Sequence, residues 1–193
     1  IILQYVIIYR MISFFSIILA FTKKDFWKRQ NFILFILLAA TFFASLLDIL
    51  SSIGNSYIVV WSYGLRDVLN YGYLAVQNSM SYLFCLYIVF LTGADMKKAQ
   101  KKRKWFHICL ALPYAVDLVL LMLNPFLREV FYYDINRVYS HDWGMIVLYV
   151  NALVYMALSY YLMMRYGKEV RFAKKATVYV FLTASLVAVI FQI

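Results

Sequence analysis

Three ionisable side chains stand inside long apolar stretches of this sequence: Arg10, Asp48 and Asp117. A charge in that setting costs about 2.5–3.5 kcal/mol unless a partner or a water-filled cavity meets it. Counted from the nearer end of its stretch, Asp48 lies about five residues in, Asp117 about six and Arg10 about nine, which at 1.5 Å per residue sets all three at one level in the same half of a bilayer. The chemistry this suggests is a pairing of Arg10 with Asp48 or Asp117 beside a pocket. A buried pair that only fixes packing would use the same residues.

Uncharged polar residues are placed with similar regularity. Thr41, Ser45, Asp48 and Ser52 recur at i, i+4, i+7 and i+11, a spacing that keeps them within about 60° of one another on a helix. Asn70, Gln77 and Ser81 form a second stripe, with Asn78 beside it. Such faces turn inward, where each hydrogen bond between helices contributes on the order of 0.6 kcal/mol. Pro113 stands one turn before Asp117 and removes a backbone donor, so the Cys109 carbonyl is expected to lose its helical partner and a local polar cavity becomes easier to form.

The stretch "FYYDINRVYSHDWG", residues 131 to 144, mixes five aromatic rings with charges of both signs. Aromatic rings gather at a membrane interface, which accounts for Phe131, Tyr132, Tyr133, Tyr139 and Trp143. Asp134, Asn136, Arg137, His141 and Asp142 are left over, and they suggest a lid folded above Asp48 and Asp117 as the alternative to a bare connector. His141 is also a candidate for sensing pH. His107, beside a basic cluster, reads as an interfacial residue, and Cys85 and Cys109 as small packing residues. The sequence contains no Gly-rich phosphate loop, no His-Glu-x-x-His, no Gly-x-Ser-x-Gly and no Cys-x-x-Cys, so neither an enzyme active site nor a metal or cofactor site is expected.

The elements that must position these groups follow from composition. The 193 residues are 65% hydrophobic and 15% charged, against roughly 45–50% and about 25% in soluble domains. Apolar runs of about 20 residues match a hydrocarbon layer about 30 Å thick. The fold expected is all-α, a polytopic bundle with helices at about 1–21, 31–53, 68–92, 105–123, 144–164 and 176–193. A seventh helix is expected beyond Ile193, and no signal peptide is expected at the start.

The net charge of +10 does not point to nucleic acid, because the basic residues fall in short clusters between the runs. Lys23, Lys24, Lys28 and Arg29, then Lys97, Lys98, Lys101, Lys102, Arg103 and Lys104, then Arg165, Lys168, Arg171, Lys174 and Lys175 make 15 of the 19 Lys and Arg residues. These three loops alternate with the others and are therefore expected to be cytoplasmic, with the N-terminus outside. Six of the nine acids (Asp48, Asp67, Asp117, Glu129, Asp134 and Asp142) fall in the outer loops or the spans.

This layout, with "LLDILSSIG" closing the second run and "FYYDINRVYSHDWG" leading into the fifth, resembles the N-terminal seven-helix sensor region of bacterial diguanylate cyclases (GGDEF-type) and related histidine kinases. The positions that carry the likeness are Phe131, Tyr132, Asp134, Asn136, Tyr139 and Gly144, with Asp48 matching an acid near the outer end of the second helix. "HDW" stands before Gly144 where the family pattern has an Arg. The resemblance implies an input module in a bacterial inner membrane, acting as a homodimer and passing a small-molecule or membrane stimulus to a cytoplasmic cyclase, or second to a kinase. The residues expected to line its polar pocket are Arg10, Asp48, Asn78, Asp117, Asp134, Asn136 and Tyr139. A small transporter or channel component, and a passive membrane anchor, are the rival readings.

Overall fold

The computed structural model describes residues 28–57, 61–96, 100–136 and 138–190. In order they form α1 (Arg29–Ser56), α2 (Tyr63–Thr92), α3 (Gln100–Leu127), a hairpin of β1 (Phe131–Tyr133) and β2 (Tyr139–His141), α4 (Trp143–Tyr166) with a closing 3₁₀ turn (Gly167–Glu169), and α5 (Phe172–Ile190). The segment expected over 1–21, Arg10 included, lies outside the described residues.

Among the described residues four helices are long and apolar enough to cross a membrane: Arg29–Ser56, Tyr63–Thr92, Lys102–Leu127 and Trp143–Glu169. The chain is thus helical and of the multi-pass membrane type. Six spans are not seen among the described residues. The last expected run forms α5, a 19-residue helix whose first turn carries Lys174 and Lys175, and it is not one of the four. The other helices outrun the boundaries expected from hydropathy. A 28-residue helix is about 42 Å long, so its ends reach past the hydrocarbon layer, where polar residues continue the helix at little cost.

The chain divides into two compact units, one holding residues up to Met80 together with Tyr133–Ser140, the other Ser81–Tyr132 and His141 onward. In the first, α1 and the N-terminal part of α2 approach through small residues. Ala44, Ser51 and Gly54 are buried on α1, and Gly72 of α2 faces the Leu47 side chain. In the second, α4 packs against α3 and against α5. Tyr155, Leu148, Leu162 and Met163 of α4 are buried with Leu110, Leu121, Val178 and Leu182. The Phe84 and Phe181 rings stack with centroids 4.4 Å apart. Large apolar side chains on the opposite face of α3, such as Val119, Met122 and Phe126, are exposed, as lipid-facing residues would be.

Pro113 breaks α3 more widely than its missing donor alone requires. The Tyr155 hydroxyl donates to the Leu110 carbonyl at 2.7 Å and accepts from the Tyr114 N–H at 3.0 Å. Those two groups would bond each other in an uninterrupted α-helix. A side chain from α4 therefore sits inside the hydrogen-bond ladder of α3, one of the recognised causes of a kink.

The connection after α3 is a β-hairpin, which an all-helical reading did not anticipate. Its short strands alternate, with Phe131 buried, Tyr132 exposed and Tyr133 half-buried, and β-forming aromatics suit such a surface. At the tip, Asp134 donates its N–H to the Val138 carbonyl at 3.0 Å, and its carboxylate accepts from the Val138 N–H at 2.8 Å. At the base, buried Asn124 accepts from the N–H groups of Val130 (2.7 Å) and Phe131 (3.3 Å) and donates to the Phe131 carbonyl (3.0 Å). Arg128, between them, adopts a left-handed φ of 57°.

Gly144 closes this base. Its N–H reaches the Glu129 carbonyl at 2.8 Å, and a Cβ there would lie 2.7 Å from that same backbone oxygen. Gly144→Ala should therefore lower stability by about 1–3 kcal/mol, the usual cost of overpacking. Gly64, with nothing within 4 Å of a built Cβ, is the control. Thermal denaturation in detergent should show a clear loss for Gly144→Ala and no loss for Gly64→Ala, and equal shifts would contradict the steric account.

Candidate functional site

The most polar buried cluster of the first unit surrounds Arg66, in the first turn of α2 and only 1% exposed. Burying a guanidinium is tolerable only when its donors and charge are met by neighbours. Its Nε donates to the Asn55 Oδ1 at 3.3 Å. The Tyr133 ring lies against the guanidinium, Cζ to centroid 4.3 Å, and the Tyr63 ring stands at 6.0 Å. Tyr63 and Tyr133 meet edge to face at 5.9 Å, and Tyr139 contacts Tyr133 at 6.3 Å. The adjacent Asp67 contributes a negative charge felt by Arg66.

Asn70, one turn along α2, ties the cluster together. Its Nδ2 donates to the Arg66 carbonyl at 2.9 Å and to the Tyr133 hydroxyl at 2.8 Å. Its Oδ1 accepts from the Ser51 hydroxyl and from Asn55 Nδ2. Gly54 makes room, since a Cβ there would meet the Trp61 ring at 3.2 Å and the Arg66 side chain at 3.6 Å. Burial pushes the Tyr133 phenol above its ordinary value, against the opposing pull of the Asn70 hydrogen bond, so the hydroxyl keeps its proton at physiological pH. A cation held between phenol faces and amides is suited to recognition and positioning; the cluster offers no nucleophile with an adjacent base.

Of the expected pocket residues, Tyr139 reaches this cluster through its contact with the Tyr133 ring. Asp134 closes the hairpin turn and Asn136 is exposed at its tip. Asp48 is exposed on α1, while Ser51 faces inward in place of the expected Ser52. Thr41, Ser45 and Asn78 hydrogen-bond carbonyls one turn back in their own helices, Leu37, Thr41 and Leu74. In the second unit Asp117 is buried and its Oδ1 accepts from Asn151 Nδ2 at 2.6 Å; the same amide reaches the Pro113 carbonyl at 3.3 Å. Arg10 lies outside the described residues, so its pairing with Asp48 or Asp117 is not described.

Arg66 and Asp95 are absent from the sequence-derived set. Arg66 falls before the apolar run that begins near residue 68 and reads as loop, although an Arg with an Asn four residues on was a usable signal. Asp95 follows Gly93, whose φ of +63° ends α2, with Ala94 N–H bonded to the Val89 carbonyl at 3.2 Å, a Schellman arrangement. Asp95 is 2% exposed, its Oδ2 is 3.8 Å from His107 Nε2, and its Oδ1 has no hydrogen-bond partner among the described residues. Among the described residues no three His, Cys, Asp or Glu side chains converge as a metal site requires.

The chain matches no protein-family model, no curated protein and no solved structure.

If the guanidinium and the Tyr133 ring stabilise each other, a double-mutant cycle should report it. Arg66→Gln and Tyr133→Leu should couple by about 1–2 kcal/mol in detergent denaturation, as expected for a desolvated cation–π contact. Additive effects would mean that the two side chains are held independently.

Proposed function

We propose that this chain is the membrane-embedded input module of a bacterial signal-transduction protein, relaying an outer or membrane stimulus to a cytoplasmic diguanylate cyclase, with a histidine kinase as second choice. The observation that carries the reading is the buried Arg66 cluster. Arg66 precedes the apolar core of α2, and Tyr133 comes from the hairpin, two regions that charge counting assigns to the same, outer side. Their meeting in one polar cluster supports a lid-like role for the hairpin. An ionisable residue buried at the edge of a membrane helix is by default a functional candidate.

The finer parts belong to the same proposal: an outer N-terminus, cytoplasmic Lys/Arg-rich loops, crossing of an inner membrane by segment 1–21 and by α5, a seventh helix and a homodimer. The mechanism requires two arrangements that differ in affinity for the stimulus. A shift of Tyr133 from the guanidinium would be the local event separating them. The buried carboxylate beside the broken rung of α3 favours a second reading, a small transporter, in which Asp117 would line a path.

The test is cyclic-di-GMP output from the full-length gene product in membranes, under varied outer conditions. Asn70→Ala and Tyr133→Phe should leave the protein inserted and change how output responds. Output that responds as in the wild type, or a full-length protein without a cyclase or kinase domain, would rule the proposal out.

A further inference from the structure

Asp117 is 1% exposed within a helix that crosses the membrane, and the groups around it are neutral hydrogen-bonding ones. From α4, Asn151 donates to its Oδ1. The charge of an ionised Asp117 would be felt by the phenols of Tyr114 on α3 and Tyr155 on α4. From α2, Tyr82 stacks on Tyr114 with centroids 5.3 Å apart and meets Tyr155 edge-on at 5.9 Å, while Cys85 is buried nearby. Among the described residues no Lys, Arg or His acts on Asp117. An isolated carboxylate in such surroundings is far more costly than the neutral acid.

The backbone beside it is already open. Pro113 gives the Cys109 carbonyl no donor, the Tyr155 hydroxyl stands between Leu110 and Tyr114, and Asn151 spans from Asp117 to the Pro113 carbonyl. Helices α3 and α4 can therefore part locally by exchanging side-chain hydrogen bonds for water, without unwinding an intact ladder.

We propose that Asp117 is a proton-binding site built into the α3–α4 pair. In the packed arrangement the carboxyl carries the proton while its other oxygen accepts from Asn151. Release breaks the O–H bond, passes the proton to water, and leaves a carboxylate that is stable only once α3 and α4 part at Pro113 and water reaches it. Uptake from hydronium reverses both events. The inference does not rest on the sensor reading, because a transporter or an anchor with this geometry would exchange the same proton.

Thermal unfolding of the full protein in detergent, followed against pH, tests it. The folded pair holds a proton that the unfolded chain releases, so stability is present at low pH and lost as pH rises. Between the pH at which the unfolded aspartate releases its proton and the higher pH at which the folded one does, wild type should lose about 3–5 °C per pH unit. Asp117→Asn mimics the neutral acid and keeps an acceptor for Asn151, so it should meet wild type at low pH and show the flatter profile of the two. The same slope in both proteins, or no slope in wild type, overturns the proposal. Should Asp117→Asn fail to fold, a membrane-soluble carbodiimide, which reacts with protonated carboxyls in lipid, supplies the second measurement on wild-type membranes. Modification at Asp117, located by mass spectrometry, should fall severalfold as pH rises; no modification at acidic pH overturns the proposal.

Discussion

A bilayer interior supplies no water to a broken backbone, and side chains or turns meet several of the interruptions described in this chain. Where α3 loses its ladder at Pro113, Tyr155 fills one rung and Asn151 reaches the Pro113 carbonyl. Where α3 ends, Asn124 makes three hydrogen bonds with the chain that follows, accepting two and donating one. Where α2 ends, Gly93 turns it, and where α4 begins, the Asp142 carboxylate accepts from the Trp143 N–H at 2.7 Å. The polar residues of the spans are thus explained first by backbone accounting. Arg66 and Asp117 need more than that account.

Those two differ in how their charge is met. Arg66 cannot lose its proton in a protein, so its burial demands permanent partners, and Asn55, Tyr63 and Tyr133 surround it. Asp117 is surrounded by groups that suit a neutral acid, because a carboxylate has the option of taking up a proton. Arginine thus keeps its charge in any arrangement of its neighbours, whereas aspartate can lose its own.

Hydropathy reads well from the sequence because lipid demands long apolar runs, and four of the expected runs are helices of crossing length. Faces read less well. The polar stripe through Asp48 and Ser52 suggested one inward face of α1, but Ala44, Ser51 and Gly54 are buried, since close helix approach selects small side chains over polar ones. Pro113 and Asp117 were legible as a pair. Tyr155 was not, because its partner lies 45 residues away and one tyrosine among eighteen carries no mark of its role. Tyr139 and Asp134 were chosen as pocket residues, yet Asp134 serves the turn, a role that local spacing hides. Arg66 stands beside Asp67 ahead of the apolar run, so hydropathy gives no sign of its burial.

The Tyr155 hydroxyl also bears on the order in which the protein is made. Helix α3 leaves the ribosome before residue 155 exists, so at that stage neither the Leu110 carbonyl nor the Tyr114 N–H has its final partner. A nascent α3 can close that rung by itself, Tyr114 N–H to the Leu110 carbonyl, as any α-helix does. Docking of α4 therefore exchanges one local backbone bond for two bonds to a side chain. In this sense the tyrosine stitches α4 into a rung that α3 completes alone while it is being made.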